Sequence, residues 1–246
     1  MYQDFSIIYD NKIKEDFDYE VMAGFVRAIM KEHSLQAGSL LDMGSGTGNA
    51  GHVLRKEFSE LILCDSSAEM LTLAREKFTP PYLPQFILGE AEGFRMPGRF
   101  DLVLSVLDIP NYLTEEGLIS YFENSHASLK ERGLLIFDVS SPFKLYEMAA
   151  TGTYIFDEDD YFHVWENHIE ENRLKIEINF FIKSEEARSL YRRITEEQYM
   201  QIITKDEIIR KARSTGFKVA GIYDGYSAEP LKEDSQRMVF VLKKGD

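Results

Sequence analysis

The chain has one cysteine, Cys64, so no intrachain disulfide can hold it together and the fold must rest on a packed core. Cys64 stands in the apolar run "LILCD", where it reads as a small buried hydrophobe. Basic charge is also scarce, with 28 Lys and Arg against 42 Asp and Glu and a formal net charge of -14. Without a basic excess to neutralise phosphates, electrostatic capture of nucleic acid or of an anionic membrane is disfavoured, and a small molecule or a protein becomes the expected partner. No apolar run approaches the roughly 20 residues needed to span a membrane. The opening "MYQDFSIIYDNKIKEDFDYE" is broken by charge throughout and lacks the apolar core of a signal peptide. These absences lead us to expect a cytoplasmic protein. Internal repeats and low-complexity linkers are missing too.

What is present is a chain of 246 residues, 44% hydrophobic, enough for one large domain or for a domain with an insertion. "FDYEVMAGFVRAIMKEH", Phe17 to His33, has a helical spacing of apolar residues at Val21, Phe25, Ala28 and Ile29. Short apolar strands ("SLLDM", "ELILCD", "PQFILGE", "RFDLVLSVLD", "LLIFDVS") then alternate with helical stretches ("GHVLRKEF", "AEMLTLAREKF", "TEEGLISYFENSHASLK") from residue 39 to 140. Ser66 with Glu69 offers a capping box for the second of these helices, and Gly133 a C-terminal stop for the third. Strands apolar on both faces and separated by helices predict a mostly parallel sheet covered on both sides, an α/β fold. The period then drops to two. Leu174, Ile176, Ile178, Phe180 and Ile182 alternate with polar residues, as in a half-buried antiparallel strand, and "YFHVWENHI" and "SLYRRITEEQY" read as its neighbours. Alternation of helix and strand resumes with "TKDEIIRKARSTG", capped by Thr204 and Glu207 and ended by Gly216, followed by "FKVAGIYD" and "RMVFVLKK". The expected organisation is an α/β domain of residues 1–141 and 203–246 carrying a β-rich insertion at 142–202.

Chemistry concentrates in "SLLDMGSGTGNAGHVL", which holds Gly44, Gly46, Gly48 and Gly51 directly after a strand. A strand, a glycine-rich turn and a helix form a nucleotide-cofactor site, because glycines admit a ligand close to the backbone and the helix start offers free N–H groups. Two registers fit. Gly46 to Gly51 matches G-x-G-x-x-G, the pattern of NAD; Asp42 followed by Gly44, Gly46 and Gly48 matches an acid before G-x-G-x-G. A carboxylate at the strand end repels the pyrophosphate of NAD and attracts the ammonium of S-adenosylmethionine (SAM), so Asp42 favours SAM. Asp65 ends the second strand, where an acid can accept both ribose hydroxyls, and Glu90-Ala91 ends the third, where a carboxylate can accept from the adenine amino group.

In these pieces the chain resembles the class I SAM-dependent methyltransferases. "LLDMGSGTG", "LILCDSSAEML", "GEAEGFRMPGRFDLVLS" with "NYL", and "ASLKERGLLIFDV" run in the family's order over roughly residues 36 to 140. The opening "FSIIYD" and the β-rich insertion resemble a bacterial subgroup of small methyltransferases. The resemblance implies a Rossmann-like, mostly parallel seven-stranded sheet with an antiparallel final strand, plus a small antiparallel β insertion. It implies that Asp42 and Gly44, Gly46 and Gly48 hold the methionine end of SAM, that Asp65 takes the ribose with Ser66 flanking the adenine, and that Glu90 and Ala91 read the adenine edge. Val106 and Leu107, at the fourth strand end, fall near the transferring methyl, and Tyr9 folds over the cofactor.

Asp108, Asn111 and Tyr112, in "LDIPNYL", are the substrate-side candidates. That stretch departs from the D-P-P-Y loop of amino-methylating DNA enzymes, with Ile109 inserted and Asn111 in place of the second proline. The insertion brings Trp165, Tyr161 and Tyr191 as aromatics to line a pocket for an uncharged or cationic substrate, with the insertion as its lid. "DEDD" at 157–160 reads as a solvated turn, and His126, His163 and His168 are too scattered for a metal site, so none is expected. Two alternatives remain at this stage: a non-catalytic SAM-binding regulator that uses the insertion as a partner surface, and an NAD(P)-dependent oxidoreductase, which would need an apolar residue at 42 and a catalytic Tyr-Lys pair.

Overall fold

A computed structural model describes residues 17–36, 38–157, 161–184 and 190–245. Tyr9 therefore lies outside the described residues, as do positions 158–160 of the acidic turn. In chain order the elements are α1 (Tyr19–Glu32), β1 (Ser39–Met43), α2 (Asn49–Leu54), β2 (Glu60–Asp65), α3 (Ala68–Lys77), β3 (Gln85–Leu88), β4 (Phe100–Ser105), a 3-10 turn (Ile109–Tyr112), α4 (Glu115–Ser128), β5 (Leu129–Ser140), α5 (Pro142–Thr151), β6 (Thr153–Asp157), β7 (Tyr161–Glu170), β8 (Arg173–Lys183), β9 (Tyr191–Gln201), α6 (Lys205–Ser214), β10 (Phe217–Asp224) and β11 (Arg237–Lys244). None of the described helices is long and apolar enough to cross a membrane.

Seven strands form one sheet in the order β10-β11-β5-β4-β1-β2-β3. β1 pairs in parallel with both β2 and β4, and β11 runs antiparallel between β5 and β10. Alternate residues of each inner strand feed two separate cores. Leu40, Leu63, Leu104 and Ile136 pack under α1, α2 and α3; Leu41, Ile62, Val103 and Phe137 pack under α4 and α6. That two-sided burial is why the middles of these strands are apolar, with the polar residues toward their ends.

α1 is capped by Asp18, whose Oδ1 accepts from the N–H of Glu20 and Val21 at 3.0 Å each. Its buried stripe is Met22, Ala23, Val26, Ile29 and Met30 with Phe25; Val21 and Ala28 face solvent. The helical period is as expected, but the stripe is rotated toward the larger side chains. Three boundaries also differ from expectation. Ser67, not Ser66, caps α3: Asp65 Oδ1 takes the Ser67 N–H (2.9 Å), which sets Ser67 in extended geometry with its Oγ accepting from Met70 N (3.2 Å). α4 stops at Ser128, and Gly133 lies inside β5, where a Cβ would meet Lys130 O at 2.9 Å; Arg132 takes the left-handed conformation instead. β4 ends at Ser105, short of the expected Asp108, because Leu107 and Asp108 turn left-handed.

The insertion opens with a helix, α5, that two-residue periodicity could not reveal. Ser141 caps it through Lys144 N, and Pro142 occupies its first turn. Its Leu145 then plugs the apolar face of a second sheet, ordered β6-β7-β8-β9, against Leu174, Ile176, Ile178, Phe180 and Met200. His163 is buried and His168 exposed, on opposite faces as their spacing requires.

The seam between the two sheets runs through Asn111. Its Nδ2 donates to Gln201 O at the end of β9 (2.9 Å) and to Ser140 O (3.3 Å), while its Oδ1 accepts from Ser140 N (2.9 Å). Asn111 is fully buried, so its amide is fully engaged in structure. Replacing Asn111 by Ala orphans buried backbone groups on both sheets and is expected to lower unfolding free energy by roughly 2–3 kcal/mol in urea titrations.

Candidate functional site

The parallel strands of the large sheet end along one edge, and the loops after β1, β2 and β4 enclose a cavity of about 740 Å³ there. This lies within the span of roughly 300–1,000 Å³ usual for small-molecule sites. The first wall is the turn after β1, Gly44 to Thr47 with Asn49 and Ala50. Gly46 has φ +53°, and nothing lies within 4 Å of where its Cβ would be, so that space is open to the cavity. Gly48 has φ +77°; a Cβ there would come within 2.8 Å of Leu63. One glycine is thus required by ligand space and another by helix–strand packing.

The second wall follows β2: Asp65, Ser66, Ser67, Glu69 and Met70. Asp65 Oδ2 accepts from the Gly46 N–H at 2.7 Å, so the carboxylate ties the β2 end to the tip of the glycine turn. Burial raises the Asp65 pKa above its usual value, the N–H groups of Ser67 and Gly46 pull it back, and the charge of Glu90 raises it further. Ser66, released from capping, is a lining residue. Tyr19, on the first turn of α1, also reaches the cavity.

Asp42 does not line the cavity. It is fully buried on β1, with Oδ2 accepting from Gly51 N (2.9 Å) and Oδ1 without a partner. Burial lifts its pKa from 3.8 to about 7, with the Asp65 charge adding to the rise and the Gly51 N–H opposing it. Glu90 is exposed and neither it nor Ala91 lines the cavity; Glu90 acts at this edge through its charge on Asp65.

The third wall comes from the turn after β4 and from the insertion. Val106, Leu107, Ile109 and Tyr112 line it, facing Glu196, Glu197, Gln198 and Tyr199 of β9. Tyr112 Oη donates to Gln198 Oε1 (3.4 Å), and Gln198 Nε2 donates to Glu196 Oε1 (2.9 Å). Glu197 pairs with Lys175 at 3.0 Å. Of the substrate-side candidates only Tyr112 reaches the cavity. Asn111 is the seam, and the Asp108 carboxylate turns away to Arg237 at 2.9 Å.

The aromatics of the insertion are not where the sequence suggested. Trp165 packs in the small sheet's own core, 6.1 Å from the rings of Phe156 and His163, and Tyr161 stacks on His163. None of Trp165, Tyr161 and Tyr191 lines the cavity. The strand order explains this: β9 lies at the sheet edge that meets the β4 turn, whereas β7 is two strands away. A signal for the true lining was present. Glu196 and Gln198 interrupt the apolar face that Ile194 and Met200 continue on β9, which marks the place where that face leaves its core.

Sequence comparison agrees with this geometry. The family described as "Methyltransferase domain" matches residues 40–133. A relative from Geobacillus sp. (strain WCH70) that carries a methyltransferase name is 30% identical over 258 residues, covering 99% of each chain. The chain belongs to the class I SAM-dependent methyltransferases. The crystal structure of an S-adenosylmethionine-dependent methyltransferase from Clostridium acetobutylicum ATCC 824 superposes with a TM-score of 0.90 at 29% identity, over 100% of this chain and 99% of that one. A 101-residue stretch, 40% of this chain and 41% of the other, is 33% identical to the dTDP-3-amino-3,4,6-trideoxy-alpha-D-glucopyranose N,N-dimethyltransferase of Streptomyces venezuelae. The cofactor of this methyltransferase is SAM. The open space over Gly46 and the orphaned oxygen of buried Asp42 fit a ligand that approaches backbone and brings a positive charge.

The Asp42 carboxyl makes stability depend on pH. Below pH 3.8 it is protonated folded or unfolded and contributes nothing; between 3.8 and about 7 the folded state keeps a proton that the unfolded state releases, so stability falls as pH rises. The loss, complete above pH 7, reaches no more than roughly 4 kcal/mol. Urea unfolding of the ligand-free protein at pH 5 and pH 8 is expected to show this decline, and Asp42→Asn to flatten it.

Proposed function

We propose that this methyltransferase acts on a small molecule and methylates an amine nitrogen that reaches the site as a cation. The observation that carries the reading is the charge of the cavity wall. Asp65, Glu69, Glu196 and Glu197 line it, with no Lys, Arg or His among the described lining residues. Such a wall attracts the cationic amine of an acceptor, and any phosphate the acceptor carries would lie outside the cavity. The name of the Streptomyces venezuelae relative, an N,N-dimethyltransferase of an amino sugar, supports the same choice.

SAM supplies a methyl group on a positively charged sulfur, which leaves as a neutral thioether. The ammonium first gives up a proton, to Glu196 or to water, and its freed lone pair then displaces the thioether, a step that needs alignment above all. On our reading the turn from Gly44 to Gly48 holds the methionine end, with Asp42 behind it, and Asp65 accepts from the ribose hydroxyls beside Ser66. Val106 and Leu107 wall the reacting end. Tyr112, Gln198 and Glu196 form a hydrogen-bonded chain on the acceptor side, with Glu196 as the carboxylate that receives the amine's N–H groups.

Tritiated SAM offered with paired acceptors, each an amino sugar nucleotide and its hydroxyl counterpart, tests this. Label should enter the amines, with Glu196→Gln raising KM for them more than tenfold at little change in SAM affinity. Label confined to hydroxyls or carboxylates would refute the amine assignment. In calorimetry Asp65→Ala is expected to weaken SAM binding by roughly 1.5–3 kcal/mol, the range for charged hydrogen bonds. Unchanged affinity would reduce Asp65 to a tie for the glycine turn.

A further inference from the structure

Beyond β4 the backbone takes a conformation that L-residues avoid. Leu107 and Asp108, adjacent in sequence, have φ of +65° and +66°. The left-handed region crowds Cβ against the carbonyl; aspartate tolerates it, leucine rarely does. Something must hold this turn in place.

Asp138, wholly buried on β5, does so. Its Oδ2 accepts from Leu107 N (3.1 Å) and its Oδ1 from Asp108 N (2.8 Å). Successive N–H groups turned to one side make an anion-binding concavity, and here the anion is the protein's own carboxylate. The same two oxygens also accept from Tyr226 Oη and Arg237 Nη1, so Asp138 has four donors. Arg237 Nη1 donates as well to Asp108 Oδ1 at 2.9 Å, fastening the side chain of the turn that Asp138 holds by its backbone. The Phe17 ring lies 5.6 Å from the Arg237 guanidinium.

The opposite side of the turn is cavity wall. Val106, Leu107 and Ile109 line it, and Ile109 Cδ1 comes so close to Gly44 that a Cβ there would be only 2.5 Å away. The turn after β4 thus abuts the turn after β1.

We propose that Asp138 is a positioning residue for the methyl donor: by accepting the N–H groups of Leu107 and Asp108 it fixes the left-handed turn, and through that turn the wall that faces the glycine loop. The proposal rests on the assignment of this cavity to SAM. If Asp138 served only as a counter-ion for Arg237, the conformation of Leu107 would not matter to its effect on binding, and this separates the two roles.

The test is SAM calorimetry on four proteins: wild type, Asp138→Asn, Leu107→Gly and the double variant. Glycine enters the left-handed region without cost, so the clamp becomes dispensable in the Leu107→Gly background. Asp138→Asn should weaken SAM binding about tenfold when Leu107 is present and less than threefold in the Leu107→Gly background. Equal losses in both backgrounds, or none in either, would overturn the proposal. Should Asp138→Asn fail to fold, Tyr226→Phe removes one donor and keeps the ion pair. It should weaken SAM binding about two- to fourfold, again only beside Leu107, and an equal loss in both backgrounds overturns the proposal by the same logic. Amide hydrogen exchange in the ligand-free protein reads the clamp without SAM. The Leu107 and Asp108 amides should be protected in wild type and exposed in Asp138→Asn, and unprotected amides in wild type would refute the clamp. Failure of the wild-type protein to bind SAM would instead remove the cofactor assignment, and this proposal with it.

Discussion

Everything at the site depends on where the sheet reverses its order. β1 pairs in parallel with β2 on one side and β4 on the other, and the chain winds away from it in both directions. The helices that follow neighbouring strands must then cover opposite faces, which leaves a crevice at the carboxyl ends of β1 and β4. The glycine turn and the left-handed turn face each other across it, close enough for Ile109 to fill the space beside Gly44. Side chains specify what binds there, but the opening is a consequence of winding order.

Besides Asp108, which pairs with Arg237, three aspartates are buried or half-buried along this edge, and their surroundings differ in a way that separates roles. Asp138 has four donors including a guanidinium, so it is compensated within the fold. Asp65 accepts from backbone N–H groups, those of Gly46 and Ser67 among them, and borders open cavity. Asp42 has one donor and an orphaned oxygen. A buried carboxylate short of partners destabilises the ligand-free state, and a bound cation nearby relieves it. The ranking from Asp138 to Asp42 is therefore one from architecture toward ligand dependence.

Sequence periodicity revealed most of this fold because the large sheet is buried on both faces. Continuous apolar strands such as "LILCD" and "LLIFDV" admit few other readings, and Asp42 and Asp65 stand out as acids at their ends. α5 was hidden because "PFKLYEMAAT" leads directly from β5 into a stretch of period two and buries only Leu145 completely. Ser66 and Ser67 are indistinguishable as caps until Asp65 is known to take the Ser67 N–H. Trp165 drew attention as a large aromatic, yet whether an aromatic lines a pocket or fills a core depends on strand order, which local sequence does not encode. The clamp from Asp138 to Leu107 spans 31 residues and joins a side chain to backbone groups, so no pattern of residue types announces it.

β9 is an edge strand of the small sheet, and an edge normally leaves backbone groups open to unwanted pairing. Here its last residue, Gln201, is bonded to Asn111, and its polar stretch from Glu196 to Tyr199 looks into the cavity. One half of the cavity is built from β1, β2 and their turns, in the large sheet; the facing half is built from β9 and the turn that carries Tyr112. The β4 turn and its Asn111 seam join the two. Positions 196 and 198 lie on an edge strand whose apolar neighbours Ile194 and Met200 pack in the small sheet's core and not in the two cores of the large sheet. On the function proposed above, an architecture divided in this way lets acceptor preference change on the small sheet while the methyl-donor site stays fixed by the large one.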